Sequence, residues 1–198
     1  MVMDESYLVF TGRPNAGKSS VIRSITGLRA PSGKRPGTTR RIETYPLSKG
    51  LVLVDMPGYG RITGVSSRVE SELKDRMLGF LEDDGPRIAL AVHVIDVSTF
   101  MEVSLRLEDK GIIPIDIEMI EFLLDSTGEP PLVAVNKIDK VGGRELDECL
   151  VELGEQLGPE SDGLLFPVSS RTGEGMGSLK AAIHARLSER GFRAPFGR

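Results

Sequence analysis

Six short stretches of the chain are apolar or alternating, and most of the segments between them carry apolar residues at helical spacing. Tyr7-Leu8-Val9-Phe10 dominates residues 6–11, an uninterrupted apolar run of the kind seen in a strand covered on both faces. Residues 40–47 alternate instead, with Ile42, Thr44 and Pro46 against Glu43, Tyr45 and Leu47, and Pro46 marks an edge strand or a strand end. Gly50 turns the chain into residues 51–55, a buried strand that closes on the acid Asp55. Residues 88–97 form the longest apolar run and predict a central strand. His93 lies inside that run and reads as a core or sheet-face histidine. Residues 131–136 and 164–168 predict the last two strands. Helices are predicted at 19–28, at 66–81 (Val69, Leu73, Met77, Phe80 and Leu81 share a face), at 116–124, at 145–157 and at 178–190. Residues 29–39 and 56–65, rich in Gly and Pro, predict loops, and 98–113 reads as an irregular excursion. This alternation predicts an α/β class: a three-layer, mostly parallel six-stranded sheet with one antiparallel edge strand, formed by residues 1–198 as a single domain.

Length and composition agree with that picture and narrow the function. A chain of 198 residues, 39% hydrophobic and 27% charged, can bury one sizeable core. The formal net charge of −4 excludes a globally basic nucleic-acid binder, and no DNA partner is expected. Charge is uneven, however. Residues 29–41 hold Arg29, Lys34, Arg35, Arg40 and Arg41 with no acid, and residues 171–198 carry a local charge of +4. The single cysteine, Cys149, rules out an intramolecular disulfide and sits in a predicted amphipathic helix, so it reads as a packed thiol. The first residues lack the pattern of a secretion signal and no run is long enough to span a bilayer. A cytoplasmic monomer without membrane contact is therefore expected.

Four groups of polar residues follow the carboxyl ends of predicted strands, which in an open α/β sheet converge on one crevice. The first is Gly12-Arg13-Pro14-Asn15-Ala16-Gly17-Lys18-Ser19, a G-x-x-x-x-G-K-S loop between a strand and a helix. Its backbone N–H groups and the helix N-terminus can cradle phosphates, Lys18 can reach the outer ones, and the Ser19 hydroxyl can ligate Mg²⁺. The second is Asp55-Met56-Pro57-Gly58, with a carboxylate suited to hold Mg²⁺ through water and a Gly58 N–H that could contact a γ-phosphate. The third, Asn136-Lys137-Ile138-Asp139, carries base specificity. A carboxylate at Asp139 accepts hydrogen bonds from guanine N1–H and the 2-amino group, neither of which adenine offers. Lys137 can lie over the purine, and Asn136 can bond the base edge and the phosphate loop. The fourth, Ser169-Ser170-Arg171, is expected to offer backbone N–H groups to the guanine carbonyl.

With these motifs the chain resembles P-loop GTPases of the translation-factor-related class. Lys34-Arg35-Pro36-Gly37-Thr38-Thr39-Arg40, Asp55-Met56-Pro57-Gly58-Tyr59-Gly60 and Ile113-Pro114-Ile115-Asp116-Ile117-Glu118 resemble the EngB family, its archaeal branch in particular, over nearly the whole chain. The resemblance implies a P-loop GTPase fold, binding of GTP and GDP with Mg²⁺, and a role in assembling or checking the large ribosomal subunit, with contacts to its RNA. It implies nucleotide contacts from Asn15, Ala16, Gly17, Lys18, Ser19, Ser20, Thr39, Gly58, Asn136, Lys137, Asp139, Ser169, Ser170 and Arg171. Ser19, Thr39 (favoured over Thr38) and Asp55 are the implied Mg²⁺ set, and Lys18, Thr39 and Asn15 the implied catalytic set. Tyr59 stands where many GTPases place a water-positioning glutamine, so slow intrinsic turnover is expected, raised by a partner or by K⁺. Related GTPases with Asn at the Asn15 position, together with a suitable switch I, bind K⁺ where others place an arginine finger. Two departures from the family are Pro14, where many EngB proteins carry Ser, and Ser169-Ser170-Arg171 in place of Ser-Ala-Lys. A GTP-binding scaffold or regulatory module with negligible turnover is the alternative. The tail arginines Arg186, Arg190, Arg193 and Arg198 read either as part of an RNA-facing surface or as charges favouring the end of the last helix.

Overall fold

The computed structural model describes residues 5–28, 41–60, 66–108 and 111–196. Its sheet has six strands: β1 (Ser6–Gly12), β2 (Glu43–Ser48), β3 (Leu51–Asp55), β4 (Ile88–Asp96), β5 (Leu132–Asn136) and β6 (Leu165–Val168). They lie in the order β2-β3-β1-β4-β5-β6, with β2 antiparallel to β3 and all other pairs parallel. The expected class and antiparallel edge strand are both present. Pro46, which cannot donate to a ladder, sits on that edge, where the pairing shifts between Pro46 and Ser48.

The helices are α1 (Lys18–Thr26), α2 (Ser67–Asp84), α3 (Val97–Glu108), α4 (Ile115–Thr127), α5 (Gly143–Leu157) and α6 (Met176–Glu189). The alternation within β1 and β5 sorts them into two layers. Leu8, Phe10, Leu132 and Ala134 pack with α1 and α6 through Val21, Ile22, Ile25, Leu179, Ile183 and Leu187. On the opposite face Val9 and Val54 meet α2 and α4 through Met77, Leu81, Met119 and Leu123, while Val133 and Val135 meet α3, α4 and α5 through Phe100, Ile117, Cys149 and Leu153. Each fully buried Leu, Ile or Phe contributes roughly 1.5–3 kcal/mol, so the two faces together dominate the stability of the fold.

One element departs from expectation. Residues 97–108, read largely as irregular, form α3. The helix buries Val97, Phe100 and Ser104, the i, i+3 and i+7 positions of one face. A serine in the third slot breaks the apolar stripe, and Met101, Val103, Leu105 and Leu107 imitate a period of two in the sequence. Asp96 starts the helix, accepting from the Ser98 backbone N–H at 3.1 Å and from its hydroxyl at 2.6 Å.

The register brings the polar strand ends level. Phe10 pairs with Asp55, Gly12 with Val94, Asp96 with Asn136, and Asn136 with Val168. Every parallel strand therefore delivers its carboxyl end to the same edge of the sheet.

Candidate functional site

The phosphate-loop segment leaves β1 at Gly12, whose φ is 153°, and a Cβ there would fall 2.6 Å from the Val94 carbonyl oxygen. Only glycine passes so close to β4. Asn15 adopts the left-handed conformation at φ 68°, and Gly17 does so at φ 96°, immediately before α1. A Cβ on Gly17 would lie 2.3 Å from Asn136 Nδ2, so the second motif glycine is required by backbone angle and by space. The loop closes on itself through Ala16 N–H to the Arg13 carbonyl at 3.2 Å. The Gly17 carbonyl accepts from Ser20 and Val21 N–H at 2.9 and 3.0 Å, opening the helix directly behind the loop.

Three side chains expected around phosphate and metal meet at the end of β3. The Lys18 ammonium contacts Asp55 Oδ1, and the Ser19 hydroxyl donates to Asp55 Oδ2 at 3.3 Å. Lys18 and Asp55 are both buried. Burial lowers the Lys18 pKa, and the opposing attraction of Asp55 favours the ammonium form. Gly58 lies against the phosphate loop, where a Cβ would be 2.9 Å from Pro14 N. Thr39 lies outside the described residues, as does Thr38.

The segment Asn136-Lys137-Ile138-Asp139 is tied to the same loop. Asn136, fully buried, donates from Nδ2 to the Ala16 carbonyl at 2.8 Å, and its Oδ1 accepts from Ser170 N–H at 3.0 Å. One side chain thus links three of the four segments. Lys137 takes the left-handed conformation, and its ammonium bridges the Asn15 carbonyl and Asp96 Oδ2, each at 2.5 Å. Asp139 accepts from the Ser169 hydroxyl and from Arg171 Nε, the latter at 2.7 Å. The Ser169 hydroxyl, then Arg171, hold its carboxyl below the usual range, so it is ionised and keeps lone pairs for further donors.

The segment after β6 differs from expectation. Of the three N–H groups expected for the guanine carbonyl, that of Ser170 is taken by Asn136 and that of Ser169 donates to the Glu174 carbonyl at 2.9 Å. Among the described residues, Arg171 N–H is the one of the three that has no protein acceptor. The turn is closed by Gly175, where a Cβ would sit 2.0 Å from the Pro167 carbonyl oxygen.

This geometry can be set beside known proteins. The family model described as "50S ribosome-binding GTPase" matches residues 7–137. A "Probable GTP-binding protein EngB" of Methanopyrus kandleri is 42% identical over 192 residues, covering 93% of this chain and 94% of that protein. A protein of the same name from Pyrococcus abyssi is 38% identical over 184 residues, covering 92% of this chain and 86% of its own length. The crystal structure of a probable GTP-binding protein engB superposes with a TM-score of 0.82 at 36% identity, covering 93% of this chain and all of that one. The chain belongs to the EngB family of GTP-binding proteins.

Against that membership, three features of this EngB chain were not read from its sequence. Asp96, at the end of β4, holds Lys137; its position after the longest apolar run was the available signal. Arg13, unassigned within the phosphate loop, reaches Asp116 Oδ2 at 3.7 Å. Tyr59 is 4% exposed, and its hydroxyl lies 3.2 Å from His93 Nε2 and 3.4 Å from Asp116 Oδ1. His93 is a satisfied core histidine as expected, with partners from β1 (Thr11), the loop after β3 (Tyr59) and α4 (Asp116). Two of the four tail arginines are engaged within the protein, and Arg186 also lies in the last turn of α6, as the second reading expects. Arg190 pairs with Glu129 at 2.5 Å and Arg186 donates to the Pro130 carbonyl at 3.3 Å, tying α6 to the turn after α4. Arg198 lies outside the described residues. Among those residues, no helix is long and apolar enough to cross a membrane.

Proposed function

We propose that this protein is a guanine-nucleotide switch that hydrolyses GTP slowly and acts in assembly of the large ribosomal subunit. The observation that supports it most is the convergence of Lys18, Ser19 and Asp55 with Asn136 and Asp139 on one sheet edge, linked through Ala16. In this reading Asp139 selects guanine, and the Arg171 N–H meets its carbonyl. Lys18 leaves Asp55 for the outer phosphate oxygens, and the loop N–H groups from Asn15 to Ser20 hold the inner ones. Mg²⁺ suits the donor set, a hydroxyl at Ser19 beside a carboxylate at Asp55, both hard oxygens; Thr39 is the third expected ligand. When bound, the ion neutralises charge that builds on the phosphates.

Slow turnover follows from Tyr59. Its hydroxyl points into the protein toward His93 and Asp116, so the position that carries a catalytic glutamine elsewhere holds no group aimed at a water. The same observation favours the second reading, a GTP-binding scaffold without turnover. The ribosomal role rests on the family's description as ribosome-binding GTPases. With Arg186 and Arg190 engaged by the turn after α4, the basic residues proposed to face RNA phosphates are those of segment 29–41.

The deciding experiment is co-sedimentation with separated ribosomal subunits in GTP analogue and in GDP, beside a turnover assay with and without subunits. Association with the large subunit in the GTP state, with turnover raised by it, is the expected result. Equal binding in both nucleotide states with no turnover would leave the scaffold reading standing.

A further inference from the structure

Behind the phosphate loop lies a buried polar cluster outside the residues assigned above to base, phosphate or metal. Thr11, Tyr59, His93 and Asp116 are all buried, and come from β1, the loop after β3, β4 and α4. Thr11 Oγ1 lies 2.9 Å from His93 Nδ1, and His93 Nε2 lies 3.2 Å from Asp116 Oδ1. One proton arrangement gives every donor an acceptor: the Thr11 hydroxyl donates to Nδ1, and the Nε2–H and the Tyr59 hydroxyl both donate to Asp116 Oδ1. It needs a neutral imidazole and an ionised carboxylate. Burial and the charge of Asp116 push the Tyr59 pKa well up, so the phenol stays a donor. The carboxylate sits in the first turn of α4, where the helix N-terminus favours negative charge.

Asp116 receives two segments that must act together. Tyr59 follows Gly58, which packs on Pro14 with no room for a Cβ. Arg13 follows Gly12 at the start of the phosphate loop and extends Nη1 to Asp116 Oδ2 at 3.7 Å. We propose that Asp116 is a positioning residue for γ-phosphate recognition, holding Gly58 against the phosphate loop through Tyr59 while it steadies that loop through Arg13. The proposal rests on the reading of the protein as a GTP switch in which the Gly58 N–H meets the γ-phosphate. GDP does not use that contact.

The test compares wild type, Tyr59→Phe and Asp116→Asn, measuring equilibrium affinity for fluorescent GDP and for a non-hydrolysable GTP analogue with Mg²⁺, and thermal stability. Tyr59→Phe keeps the buried ring and removes only the hydroxyl, so it remains informative if Asp116→Asn does not fold. Tyr59→Phe is expected to lose about tenfold in affinity for the GTP analogue while GDP affinity stays within about twofold; Asp116→Asn, which also weakens the Arg13 contact to the loop, is expected to lose affinity for both nucleotides and more for the GTP analogue than for GDP. Equal losses for both nucleotides, or an unchanged ratio, would overturn the proposal. A wild type that binds neither guanine nucleotide would instead overturn the functional reading.

Discussion

At the scale of single residues, chemistry at this site is set by which lone pairs and N–H groups the protein leaves unspent. Asp139 spends one oxygen on Ser169 and one on Arg171, each oxygen keeping capacity for a guanine donor. Asp139→Asn replaces an acceptor by a donor that matches xanthine, whose C2 carries a carbonyl. GTP affinity is expected to fall by about 10²- to 10⁴-fold and XTP binding to appear, read by competition titration. Retained GTP binding in this variant would remove Asp139 from base recognition. The ionised carboxylate is the accepting form, so affinity is present above its folded pKa and declines as pH falls through it. Ser169 and Arg171 depress that pKa, so Arg171→Ala should move the acid limb of GDP binding to higher pH. Asn15 carries a second residue-scale prediction: if it holds a monovalent cation, GTPase rates in K⁺ exceed those in Na⁺, and Asn15→Ala makes the two rates equal. These residues were legible in the sequence because a motif reports residue type at fixed spacing. What Tyr59, Ser170 and Arg190 do was not legible, because each meets a partner far along the chain; Tyr59 and Asp116 are 57 positions apart.

At the scale of elements, strands were the most readable parts, since a strand covered on both faces must be apolar throughout. Helix α3 was the exception, because its buried stripe runs Val97, Phe100, Ser104. Ser104 is tolerated inside because Gln156 Nε2 of α5 donates to its hydroxyl at 2.9 Å, and the hydroxyl faces Glu152 Oε1 at 3.3 Å. That pairing exists only once α3 and α5 lie side by side. Phe100, 1% exposed, is the apolar anchor of the helix. Phe100→Ala is expected to cost about 3–5 kcal/mol in urea unfolding, against under about 1 kcal/mol for an exposed position on the same helix such as Glu102. Equal effects at the two sites would show that α3 is not packed as described. Cys149, on α5 of the same cluster, has its thiol pushed up to about 11 by burial. The folded protein should therefore react slowly with thiol reagents near neutral pH, and quickly once unfolded.

At the scale of the whole molecule, the parallel register gathers the carboxyl ends of β1, β3, β5 and β6 and places the site on one edge. The proposed ribosomal contact belongs to this scale too. If segment 29–41 neutralises RNA phosphates, replacing Lys34 and Arg35 by Ala should lower the slope of log affinity against log salt by about 0.7–0.9 per residue. Arg190→Ala, which frees Glu129 instead, should leave that slope unchanged. Sequence alone determined the α/β class and the resemblance to a GTP-binding family, because glycine placement, apolar runs and residue types at fixed spacing are local constraints on backbone and chemistry. Tertiary structure alone decided three things: that Asn136 braces the phosphate loop, that Arg186 and Arg190 anchor α6, and that Tyr59 is a buried donor to Asp116. Each depends on which distant polar groups share a space without water, where an unpaired donor or acceptor is costly and a partner must be found.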